Sequence, residues 1–169
     1  MGQASKELSH RLRAVAEAHV RALEETLGEA LVSAVLFGSV ARGEGGPHSD
    51  IDLFLVVRDL PASKLARHDV LQAADEAVEP LLAGLRREGV LTDVRPVLKT
   101  PEEAARLRLL YLDMVEDAVF LRDGDGFFAG VLARLRESLR RLGARRVRRG
   151  RTWYWDLKPD YRPGEVFEL

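Results

Sequence analysis

The 169-residue chain predicts an α/β domain with a short mixed sheet flanked by helices, and three observations carry that reading. Two aliphatic runs, Leu31 to Phe37 and Ile51 to Val57, are too short for typical buried helices and end in turn residues, as core strands do. Stretches on either side repeat apolar residues every three or four positions, the helical period. The length suits one domain, and the 46% hydrophobic and 31% charged fractions exclude both a disordered polar chain and a membrane bundle.

In chain order, Leu8, Leu12, Val15, Ala16, Val20, Leu23 and Leu27 lie on one face of a long first helix that Gly28 ends. The strand at 31–37 runs into the turn Gly38-Ser39, and Gly43 to Pro47 is a loop. Ile51 to Val57, with β-branched and aromatic members, is a central strand. Ser63 caps a helix reaching Arg87, with Leu65, Val70, Leu71, Ala74, Val78, Leu81, Leu82 and Leu85 inward and Pro80 kinking or dividing it. Val90 to Leu98 is a third strand, which Pro96 assigns to an edge or a strand end because proline cannot donate to a ladder. Thr100-Pro101-Glu102-Glu103 is a capping box with proline in the first turn, starting a helix to Glu116. Ala118 to Leu121 is a short strand, Asp123-Gly124-Asp125-Gly126 a turn, and Phe127 to Leu142 a final helix. These elements divide the chain into a domain at 1–142 and a basic, aromatic extension at 143–169, packed on the domain or on a partner subunit.

Composition narrows the chemistry. With no cysteine, disulfide scaffolds, thiol catalysis and cysteine-based zinc sites are excluded. His10, His19, His48 and His68 have no metal-ligand spacing and are expected in solvated or capping roles. No apolar run approaches the roughly 18 residues of a membrane span, and the charged N-terminal segment is not a signal peptide, so a cytoplasmic protein without membrane contact is expected. Residues 131–151 hold nine arginines, ending at Arg151, against the single acid Glu137, in a chain of formal net charge −1. Up to Leu142 they read as the solvated face of a helix. Arg145 to Arg151 could meet polyphosphate, RNA or an acidic protein surface. Trp153, Trp155 and Leu157 share one face if extended, which favours an arm covering the domain over base stacking.

One segment carries chemistry. Asp50 and Asp52, two apart at the mouth of a strand, project to the same side. Two such carboxylates repel, a situation relieved by water or by a hard divalent cation held through oxygen ligands. Upstream, Gly38 lets the backbone approach a ligand closely, and Ser39 offers N–H groups and a hydroxyl suited to phosphate. Alone, Gly-Ser is a common turn and Asp-x-Asp a common strand start. Joined as strand, Gly-Ser, ten-residue loop, Asp-x-Asp and strand, they describe an anion cradle beside a cation site.

This order resembles the polymerase-beta-like nucleotidyltransferase superfamily, above all its minimal nucleotidyltransferases. Residues 31–57 match that pattern closely, including Ala41-Arg42-Gly43 and Ser49-Asp50-Ile51-Asp52-Leu53. The resemblance implies a nucleotidyltransferase fold and transfer of a nucleoside monophosphate, AMP first, from a triphosphate to a hydroxyl. It implies two magnesium ions held by Asp50, Asp52 and a third carboxylate on a later strand. Asp93 is preferred for that role, and Asp113 and Asp117 compete. Gly38 and Ser39 would bind the β and γ phosphates, and Arg42 would contact phosphate or form a structural ion pair. Minimal members often pair with a small helical HEPN protein as antitoxins, which makes a protein hydroxyl the first acceptor. A small-molecule hydroxyl, as in antibiotic-modifying relatives, comes second. A catalytically silent antitoxin that binds its partner by contact is the alternative of a different class. Nucleic acid is a less favoured partner, and a homo-oligomer stays open.

Overall fold

In the computed structural model, residues 2–150 and 152–169 are described; Met1 and Arg151, the last member of the arginine run, lie outside the described residues. Helix α1 (Gly2–Leu27) buries Leu12, Val15, Ala16, Val20 and Leu23, its three-and-four seam. Strand β1 (Leu31–Phe37) is buried along its whole length, then turns through a single helical turn, α2 (Gly38–Ala41), toward β2 (Ile51–Val57). After α3 (Lys64–Asp69) and α4 (Gln72–Arg87) come β3 (Val94–Lys99), α5 (Pro101–Ala104), a 3-10 turn at Leu109–Asp113, β4 (Val119–Asp123) and α6 (Phe127–Arg141). The chain closes with β5 (Arg145–Arg149) and β6 (Thr152–Asp156), which pair as a separate antiparallel hairpin.

The main sheet has the order β3-β2-β1-β4. Strand β1 is antiparallel to β2 and β4, and β2 is parallel to β3, so the sheet is mixed. Its two faces bury separate cores. Ile51, Leu53, Leu55 and Val57 pack with the seams of α1 and α4, whereas Phe54 and Val56 pack with α6. On that second face Phe54 stacks on Phe128 at 4.6 Å between centroids and meets Tyr111 edge-on at 5.3 Å. Asp52 alternates onto this same face, one step beyond Phe54.

Several elements depart from the sequence expectation, each for a local reason. The helix expected from Ser63 to Arg87 breaks at Val70–Leu71 instead of at Pro80. Pro80 is exposed, so the Glu76 carbonyl deprived of its donor meets water and α4 continues. Ser63 makes no capping bond, and Leu65 and Leu81, expected inward, are 80% and 46% exposed. Leu71, also expected inward, is buried just after the break. The Thr100 capping box is present, with Glu103 N–H donating to Thr100 Oγ1 and Thr100 N–H to Glu103, but α5 stops at Ala104 and does not reach Glu116. Strand β3 begins at Val94, four residues later than expected, and Pro96 does lie on an edge strand. Asp123 receives the N–H groups of Phe128 and Ala129 and the Ser33 hydroxyl, which fixes the start of α6. His19 is fully buried, not solvated, with Nε2 on Asp75 at 3.0 Å. The arginine-rich β5 has no apolar alternation to announce it.

Candidate active site

The site is built where β1 leaves the sheet and β2 enters it. Strand β1 ends in Phe37, paired with Asp52, and the next residue is Gly38. Gly38 has φ +75°, and a methyl group there would overlap the Asp52 carboxylate oxygen Oδ2, with Cγ at 3.3 Å. Only glycine combines that backbone with that approach. The acidic side chain therefore rests directly on the Gly-Ser turn.

The ten residues between the turn and Asp50 are tied down from both sides. Gly45 N–H donates to the buried Ser9 hydroxyl at 2.8 Å, and Ser5 donates to the Gly45 carbonyl at 3.0 Å, fastening the loop to α1. Leu91 N–H donates to the Pro47 carbonyl and Thr92 Oγ1 to the Ser49 carbonyl, each at 2.7 Å, fastening it to the segment that leads into β3. Ser9 and Thr92 are among the few buried polar residues, and their spacing gave no sequence signal for this work.

Electrostatically the acidic pair is undercompensated. The Asp52 carboxyl is held above its ordinary range, first by burial, then by the Asp50 and Asp113 charges, against the lowering influence of Arg42 and Arg95. Arg95 is the cross-strand partner of Asp52, and its Nε lies 3.5 Å from Asp50 Oδ2. Both members of that pair are well exposed, so the attraction is screened. Asp50 and Asp52 thus supply oxygen donors, with excess negative charge, of the kind a hard divalent cation takes.

Of the third-carboxylate candidates, Asp93 is exposed and sits one residue ahead of β3, its carbonyl accepting the Ile51 N–H at 2.9 Å. The charge of Asp113 is among those acting on Asp52. Among the described residues no three acidic or histidine side chains group closely enough to hold a metal. Asp113 arrives through the 3-10 turn, anchored by Tyr111: its ring is buried between Phe54 and Phe128 and its hydroxyl donates to the Ala104 carbonyl at 3.0 Å. Burial pushes the Tyr111 phenol up to about 12, so it stays a donor. Asp117 is engaged by Arg146 at 2.6 Å. Ser39 is the second residue of α2, its carbonyl accepting Glu44 N–H at 2.9 Å. Arg42 ends that turn and pairs with Glu44 at 3.0 Å through Nε.

Comparison with known proteins gives the family of the chain. A family model described as a nucleotidyltransferase domain matches residues 17–106, which include the turn, both aspartates and Asp93. A Methanocaldococcus jannaschii protein named a "putative protein adenylyltransferase" is 27% identical over 121 residues, 70% of this chain and 77% of its own. Solved structures with similarity include a toxin–antitoxin with AMP-PNP, at TM-score 0.45 and 17% identity over 75% of this chain and 92% of that one. Another is a tri-AMPylated Shewanella oneidensis HEPN toxin in complex with MNT antitoxin, at TM-score 0.41 and 15% identity over 77% and 92%.

Proposed function

This chain belongs to the nucleotidyltransferase domain family, and from that premise we propose that it moves AMP from ATP to a hydroxyl on a partner protein, with magnesium. The observation that carries the reading is the Asp52 carboxylate seated on Gly38, two residues from Asp50, which joins a carboxylate pair to a turn able to meet phosphate. Asp50 and Asp52 would hold the magnesium. When bound there, it would offset charge on the triphosphate and on the departing pyrophosphate. Gly38 and Ser39 meet the β and γ phosphates, and Arg42 adds a cation to the same end.

In the reaction the acceptor oxygen forms a bond to the α phosphorus, the bond to the bridging oxygen breaks, and pyrophosphate leaves with that electron pair. The acceptor proton passes to a carboxylate base, Asp93 as the motif order implies. One observation favours Asp113 as the alternative, since its charge reaches Asp52. A protein acceptor is supported by the adenylyltransferase relative, and a small helical HEPN-type protein by the resemblance to minimal nucleotidyltransferases.

The test is incubation with labelled nucleoside triphosphates and magnesium, alone and with the product of the neighbouring gene, followed by mass analysis of every component. A gain of one AMP on the partner, absent with Asp52→Asn, is expected. Transfer undiminished in that variant ends the assignment, label on a small molecule moves the acceptor, and partner inhibition without any label favours the silent binder.

A further inference from the structure

The β5–β6 hairpin lies outside the matched residues 17–106, yet it stands beside Arg42, which follows α2. Its register sets Arg146 opposite Trp155 and Arg148 opposite Trp153, so these four side chains share one face. That face is fastened to the domain at two points. Trp155 Nε1 donates to the Leu112 carbonyl at 3.1 Å, and Arg146 bridges Glu116 and Asp117 at 2.6 Å each. The hairpin is thereby anchored to the segment that carries Asp113.

Between the hairpin and the loop that follows α2 lies a cavity of about 370 Å³ lined by Arg42, Glu44, Asp117, Arg146, Arg148 and Trp153. Its three guanidiniums are used differently. Both terminal nitrogens of Arg146 are taken by acids, and its guanidinium lies 3.8 Å from the Trp153 ring centroid, a structural cation–π contact. Arg42 lies 5.7 Å from the same ring and spends Nε on Glu44, while Arg148 spends Nε on the Gly150 carbonyl at 3.3 Å. A guanidinium has five N–H donors, so Arg42 and Arg148 keep capacity for an anion. Arg42 also joins the two regions, since its charge reaches Asp52.

We propose that this cavity receives the terminal phosphates of the donor nucleotide, with Arg148 as a phosphate-binding residue added by the hairpin and Trp153 as the platform that positions Arg42. The inference rests on the nucleotidyltransferase reading. It extends the phosphate site from the turn alone to a two-walled cleft, so the hairpin sets triphosphate affinity and the hold on departing pyrophosphate. Arg145 lies on the opposite hairpin face and serves as the control.

The experiment is calorimetric titration of the full chain with magnesium ATP, magnesium tripolyphosphate and AMP, using wild type, Arg148→Gln and Arg145→Gln. Arg148→Gln is expected to weaken ATP and tripolyphosphate about tenfold, the loss of one charge-assisted contact, and to leave AMP unchanged. Arg145→Gln should alter none by more than about twofold, the effect of a screened, distant charge. If wild type binds ATP and tripolyphosphate and Arg148→Gln binds them equally well, the inference falls while the functional reading stands. An equal loss for AMP also overturns it, by placing the nucleoside there. Failure of wild type to bind any of the three overturns both.

Discussion

Replacing Gly38 by alanine isolates the contact on which the site depends. Two costs are expected there. The backbone at φ +75° charges any L-residue roughly 1–2 kcal/mol for the left-handed region. The new methyl would also overlap Asp52 Oδ2, and displacing a half-buried carboxylate adds about 1–3 kcal/mol, as overpacking does. Gly89 is the matched control, with φ +82° and nothing within 4 Å of an added methyl, so Gly89→Ala bears the first cost only. For a chain of this size each kcal/mol moves the melting temperature by about 2–4 °C. Thermal melts should therefore place Gly38→Ala several degrees below Gly89→Ala, which is itself below wild type. Magnesium-dependent nucleotide binding should fall only in Gly38→Ala. Equal melting temperatures and equal nucleotide affinity in the two variants would refute the close approach and the site built on it.

Three further perturbations probe how the scaffold holds that site. Burial lowers the His19 pKa below its ordinary value despite the Asp75 partner, so the neutral ring is favoured in the fold. Stability is then present above the unfolded value near 6.5 and is lost as pH falls through it, a slope that His19→Leu should flatten in melts taken across that range. The Arg67 guanidinium, bidentate on Glu103, holds that carboxyl down to about 2. Its contribution is present above the carboxylate's unfolded value and fades as pH falls toward about 2; Arg67→Ala should shed that part of the acid dependence in denaturant titrations. Tyr111→Phe keeps the ring cluster but strands the Ala104 carbonyl. It should cost about 1–3 kcal/mol in urea unfolding, and no change would mean that the hydroxyl does not anchor the 3-10 turn.

The parts of this fold legible in the sequence are those governed by local pattern. Strands β1 and β2 keep the bounds read from their aliphatic runs, because both are buried on two faces and are apolar apart from Ser33 and Asp52. Gly38 and Asp52 were legible as types at a spacing; that one rests upon the other is a tertiary fact. The break before Leu71 and the stop at Ala104 have no local signal, because each is decided by tertiary packing and not by propensity. Asp113, a competitor for the third carboxylate on an expected helix, lies instead on a 3-10 turn anchored by Tyr111, with its charge acting on Asp52. Strand β5 hid for a different reason. Arg146 pairs with two acids about thirty residues earlier and lies over Trp153, so charge and cation–π contact do the work that apolar alternation normally advertises.

The most direct test of the central claim is calorimetry of nucleotide binding with and without magnesium, in wild type and in Asp52→Asn. The account predicts that wild type binds ATP far more tightly with magnesium present, and that the variant, still folded by circular dichroism, loses this metal dependence. Metal-dependent binding of equal strength in both proteins would contradict it.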